Sequence, residues 1–178
     1  QMLVGNVDQI MMSQYSENAV AAIGNVNTIM NFMTITFSIV TMAITIMVTQ
    51  YLGSKNKEKV SEIYTVGIFT NLIFSVIISI GLFFGSEALF TALKMPVELH
   101  ADAKQYLNIV GGLVFLQALF MSFSAIFRSN GLMKQGMYIS VLVNVLNIIG
   151  NAVLLPSMGI VGIAISSVFS RFIGVILV

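Results

Sequence analysis

From Val26 to Leu52 the chain contains no charged side chain at all. At 1.5 Å per residue, a helix over that run is long enough to cross a hydrocarbon core about 30 Å thick. Similar apolar runs follow along the rest of the chain. Overall 57% of residues are hydrophobic and 8% are charged, over 178 residues. Soluble domains carry roughly 25% charged residues, and a chain this short cannot hide so much apolar surface from water. The runs are long and do not alternate, which indicates membrane-spanning helices rather than a barrel. The sequence therefore predicts an all-α, polytopic membrane helix bundle. The net charge of +1 offers no basic face for nucleic acid. Cysteine is absent, so disulfides and thiolate metal sites are excluded.

About six transmembrane segments are expected, at 1–14, 26–52, 60–84, 101–127, 137–155 and 160–178. The first is too short to span and the last is still apolar at Val178, so both are read as truncated. The region 1–178 is taken as one transmembrane lobe of a larger protein. Ser13 to Gly24, with Ser16, Glu17 and Asn18, reads as a connection or as the start of a new helix, and Ser86 to Lys94 as a short interfacial helix stopped by Met95-Pro96. Pro156 to Gly159 reads as a tight turn. Gly81 and Gly85, four apart, are either a close-approach pair for another helix or unremarkable glycines. Lys55, Lys57, Lys59, Arg128 and Lys134 gather in alternate connections, so the 53–59 and 128–136 turns are expected on the cytoplasmic side.

One carboxylate stands out. Asp8 lies in the apolar run of the first segment, with no basic residue nearby on its helix face. Acids at bilayer depth are costly and usually mark an ion pathway or relay. Such a residue can exchange a proton, or bind a hard cation such as Na⁺ where other oxygens converge. The alternative is a hydrated residue near the interface that only anchors the helix. In the fifth segment Asn144, Asn147 and Asn151 share one helix face, as interhelical glue or as a cavity lining. Gln50, Ser166, Ser167, Ser170 and Arg171 are further polar points, with Arg171 expected to snorkel toward the surface. Met11, Met12, Met33, Gln50 and Asn144 are candidates to line a substrate cavity. Methionine-rich walls accept varied ligands, although most of the 12 methionines are expected simply to fill the core. His100 is given no role. Enzyme signatures such as His-Glu-x-x-His, Gly-x-Ser-x-Gly and a Walker loop are missing, so the chain is not read as an enzyme and no cofactor is expected.

Four stretches carry a family resemblance. They are Val7-Asp8-Gln9-Ile10-Met11-Met12 with Asn18-Ala19-Val20-Ala21-Ala22-Ile23-Gly24, and Thr49-Gln50-Tyr51-Leu52-Gly53. The others are Arg128-Ser129-Asn130-Gly131-Leu132-Met133-Lys134, and Asn147-Ile148-Ile149-Gly150-Asn151 with Gly159 to Ser167. In order and spacing they resemble the amino-terminal half of a multidrug and toxic compound extrusion transporter. The resemblance implies a two-lobe protein of twelve helices that exports amphipathic or cationic small molecules by alternating access. Exchange would be for H⁺ or Na⁺ across the plasma membrane. It also implies a cation-coupling site at Asp8, with Asn147, Asn151 and Ser167 as partners. The expected partners of the protein are membrane lipid, an amphipathic substrate and a second six-helix lobe. Many members have Asp at the position of Asn151; one acid in place of two weakens a Na⁺ site and leaves a single-proton relay. The alternatives are a lipid-linked oligosaccharide flippase of the same superfamily, which the scarcity of buried Arg and Lys disfavours, and a non-transporting membrane scaffold.

Overall fold

The computed structural model describes residues 8–13 and 16–178. Among them every regular element is helical. Helix α1 is seen over 8–12, and the remainder of the expected 1–14 segment lies outside the described residues. There follow α2 (Glu17–Gly53), α3 (Lys57–Ala92), a short 3₁₀ turn (Val97–Leu99), α4 (His100–Gly112), α5 (Val114–Ser129) and α6 (Met133–Leu177).

Helix α2 begins nine residues before the expected Val26. Ser16 caps it, its side chain accepting from the Ala19 N–H, and Glu17 places an acid in the first turn. Its far end closes in a tight left-handed cap. Lys55 has φ 57° and the Asn56 N–H reaches back to the Tyr51 carbonyl at 3.0 Å. Asn56 then caps α3 by accepting from the Lys59 N–H. The same device ends α3, through Lys94 (φ 52°) and Met95 N–H to Phe90 O, and ends α5, through Gly131 (φ 76°) and Leu132 N–H to Phe127 O. Only the third site has the glycine that this conformation prefers.

Three corrections to the expected segments follow. Helix α3 runs unbroken through Gly85 to Ala92, so Ser86 to Lys94 is its last turns and not a separate interfacial helix. One glycine does not stop a helix whose flanks propagate well. The expected 101–127 span is broken at Leu113 into α4 and α5, which meet at 45°. The Gly111-Gly112 pair weakens the helix there, and the Gly112 carbonyl freed by the break accepts from Ser79 Oγ of α3 at 2.7 Å. Gly81 and Gly85 have open space where a side chain would stand, so they mediate no close approach.

Helix α6 contains Pro156 and then Gly159, whose φ 56°, ψ −132° is not helical. The chain folds back there into two antiparallel limbs, 133–158 and 160–177. Their contact is very close. A Cβ on Gly162 would sit 2.5 Å from the Leu154 carbonyl oxygen, and one on Gly150 would sit 2.3 Å from Ser166 Oγ. Ser166 Oγ donates to the Asn147 carbonyl at 2.9 Å, tying the limbs at mid-depth.

Helices α2, α3 and α6 are each long and apolar enough to cross a membrane, and the bent α4–α5 pair forms a further such span. Their outward faces carry Ile35, Ile39, Met42, Phe69, Ile73 and Ile77, all exposed to where lipid would lie. The main core joins α2, α4, α5 and the second limb of α6 through Ile23, Val26, Phe37, Tyr106, Leu107, Ala118 and Ile163. Asn130 Nδ2 donates to Tyr64 OH at 2.6 Å, which brings the α5–α6 turn beside the start of α3. Both lysine-bearing turns therefore lie at one end of the bundle. The molecule is a multi-pass membrane protein.

Candidate functional site

Asp8 is completely buried. Three neutral donors from other helices converge on its carboxylate. Asn151 Nδ2, in the first limb of α6, donates to Oδ1 at 2.7 Å. Ser167 Oγ, in the second limb, donates to Oδ2 at 2.8 Å. Tyr106 OH, in α4, donates to the same oxygen at 3.0 Å. One carboxylate thus joins α1, α4 and both limbs of α6.

Behind this layer Asn147 Nδ2 donates to Ser167 Oγ at 3.0 Å, which directs the Ser167 hydroxyl proton toward Asp8. Ser170 Oγ donates to the Ser167 carbonyl at 3.1 Å. The α6 reversal makes this possible, because it sets Asn147 and Asn151 against Ser166 and Ser167. The side-chain oxygens of Asn147 and Asn151 are buried and receive no donor among the described residues. Each is an acceptor held within the site and free for a cation or a proton-bearing group.

The sequence-derived residues divide as follows. Asp8, Asn151 and Ser167 are in direct contact, and Asn147 reaches Asp8 through Ser167. Asn144 does not join them: its Nδ2 bonds the Ser140 carbonyl one turn back at 2.7 Å. Met12 is packed in the core, with Met11 and Met33 half-buried against it. Gln50 is exposed near the end of α2. Tyr106 was not anticipated: it lies 98 positions from Asp8, on a helix whose register no local spacing relates to α1. Arg171 lies in the second limb of α6, half-buried one turn beyond Ser167.

Fold and site together define an all-helical, multi-pass membrane bundle closed around a single buried carboxylate. The MatE family profile matches residues 1–153 of this chain. Over 181 residues the chain is 40% identical to the uncharacterized transporter YisQ of Bacillus subtilis (strain 168), covering 98% of this chain and 40% of that protein. It is 27% identical to the probable multidrug resistance protein NorM of Thermotoga maritima, covering 98% of this chain and 39% of that one. The fold matches a crystal structure of MATE in the bent conformation with a TM-score of 0.96 at 20% identity, over 99% of this chain and 40% of the other. The chain belongs to the MatE family, whose members are membrane transporters and not enzymes. It spans about two-fifths of the length of the relatives it matches.

Proposed function

We propose that this chain is the amino-terminal lobe of a secondary antiporter that exports amphipathic or cationic small molecules in exchange for H⁺ or Na⁺ by alternating access. The observation that carries this is the Asp8 cluster: a wholly buried acid whose ligands come from α4 and from both limbs of α6. Unpaired buried amide oxygens also occur at Asn71, Asn108 and Asn144; those of Asn147 and Asn151 support this reading through their place beside the Asp8 carboxylate and its partner Ser167. Resemblance to a probable multidrug resistance protein supports the class of substrate.

Mechanism follows from counting donors. The ionised carboxylate accepts from Asn151, Ser167 and Tyr106, so every polar contact it makes suits the charged form. A proton on Asp8 turns one oxygen into a donor, which then needs an acceptor. Rotation of the Asn151 amide supplies one, its unpaired Oδ1, without moving the helix. An aspartate at that position would have no donor to offer the ionised form. For Na⁺, the same rotation at Asn147 and Asn151 would add two carbonyl oxygens to the carboxylate and to Ser167. In either case loading Asp8 exchanges the set of bonds that ties α1 to α4 and α6, and so biases the balance between inward-open and outward-open states. The coupling energy is that of the gradient, about 2.3 kcal/mol per charge per 100 mV. Met11 and Met33 form part of the apolar wall, and the 53–59 and 128–136 turns face the cytoplasm of the plasma membrane. A second six-helix lobe completes the transport path.

The test uses the full-length protein in sealed vesicles, with Asp8→Asn beside wild type. Efflux is driven by a proton gradient alone and then by a Na⁺ gradient alone. Wild type responds to one of them and the variant to neither; an undiminished response in the variant would overturn the proposal.

A further inference from the structure

A second polar site lies toward the other end of the first α6 limb, where α5 and α6 form an antiparallel pair. A cavity of about 220 Å³ is lined there by Phe120, Met121, Ser124, Arg128 and Ser140. The register of the pair explains the grouping. Gly136 lies beside Phe127, and Val143 and Phe120 converge on Gly174, so Ser124 and Ser140 stand at one level between them. Arg128 is one turn nearer the helix end and exposed.

Three features of this cavity point to a ligand. Ser124 Oγ is buried and has no hydrogen-bond partner. Its neighbours Ser122, Ser129 and Ser140 each donate to the carbonyl four residues back, the usual resort of a helical serine. Ser124 alone of these leaves its hydroxyl unpartnered, in a residue that lines the cavity, and a turn of the side chain is needed to present it there. Next, Arg128 makes no ion pair among the described residues: the two pairs present are Lys59–Glu62 and Lys104–Glu87, both elsewhere. Lastly, no acid lines the cavity, and its remaining walls are the apolar Phe120 and Met121. A free guanidinium and an unpartnered hydroxyl, beside an apolar floor, suit a tetrahedral anion borne on an apolar body. The guanidinium fork matches two phosphate oxygens at once.

We propose that this cavity binds a phosphate group through Arg128, with the otherwise unpartnered Ser124 hydroxyl turning to donate to it. The site is independent of the Asp8 cluster, and its test does not depend on transport. A phosphate on a lipid headgroup and free phosphate share this chemistry, so both are tried.

Full-length protein in detergent is titrated separately with phosphatidylglycerol, with diacylglycerol as the phosphate-free control, and with inorganic phosphate. Bound adducts are counted by native mass spectrometry. Binding of phosphatidylglycerol but not inorganic phosphate identifies a lipid headgroup; the reverse identifies free phosphate. For whichever binds, Arg128→Gln weakens binding about fivefold, and Ser124→Ala weakens it about threefold. Arg128→Lys restores only part of the loss, because the charge returns without the fork. Lys134→Gln, which alters a charge in the adjoining turn but not the cavity, changes it less than twofold. The proposal is overturned if neither probe binds, or if diacylglycerol binds with the same dependence on Arg128. It is equally overturned if Lys134→Gln matches Arg128→Gln while Ser124→Ala has no effect, since the anion would then be responding to diffuse surface charge.

Discussion

Replacing Gly162 by Ala tests whether the α6 hairpin is as tight as its geometry indicates. The added Cβ would lie 2.5 Å from the Leu154 carbonyl oxygen, 2.7 Å from its carbon and 3.0 Å from its Cβ. Two of these three atoms are backbone, so no rotamer change relieves the clash and the limbs must separate. Overpacking of this kind costs about 1–3 kcal/mol. Separation also stretches two interlimb bonds, Ser166 Oγ to Asn147 O at 2.9 Å and Asn147 Nδ2 to Ser167 Oγ at 3.0 Å. Membrane hydrogen bonds contribute about 0.6 kcal/mol each on average. Together these give a loss of about 2–4 kcal/mol. Gly85→Ala is the internal control, because open space surrounds that position and alanine is the better helix former by about 0.8–1 kcal/mol. The assay is reversible unfolding of the full-length protein in mixed micelles, followed by circular dichroism. Gly162→Ala should unfold well before wild type, and Gly85→Ala no earlier than wild type. Equal stability of the two variants would refute the close-packed hairpin, and with it the positioning of Asn147 and Asn151 against Ser167.

Other perturbations have equally definite outcomes. Tyr106→Phe keeps the ring in the core but removes one of three donors to Asp8; ion-driven efflux should fall about tenfold, and stability in the unfolding assay should drop by about 1.5 kcal/mol, the worth of a hydrogen bond to a charged group. Ser79→Ala deprives the Gly112 carbonyl of its partner at the α4–α5 break and should cost about 1–2 kcal/mol in the same unfolding assay. Lys55→Gly relieves a left-handed backbone conformation and should stabilise by about 1 kcal/mol.

The membrane bundle was legible because apolar runs carry their meaning locally. Gly131 and Pro156 to Gly159 announced two of the reversals, and the Asn face of α6 pointed at the site, because helical spacing is itself local. The start of α2 was legible too, in Ser16 and Glu17, because a cap and a first-turn acid are local signals. What stayed hidden depends on which helices touch. Tyr106 meets Asp8 only through the tertiary fold. Asn144 shares the face of Asn147 and Asn151, yet it sits too far along the limb to reach Asp8 and turns back to its own helix. The bend at Leu113 follows from a glycine pair that sequence alone does not distinguish from Gly81 and Gly85, until Ser79 is seen to satisfy the broken carbonyl.

The central claim is that Asp8 is the group that takes up and releases the coupling ion. Infrared difference spectroscopy of the full-length protein, recorded as H⁺ or Na⁺ is changed, reads that event at the carboxyl group itself. Wild type should show a carboxyl band that changes with one of the two ions, and Asp8→Asn should lack it. An identical difference spectrum from the variant would place the coupling ion elsewhere.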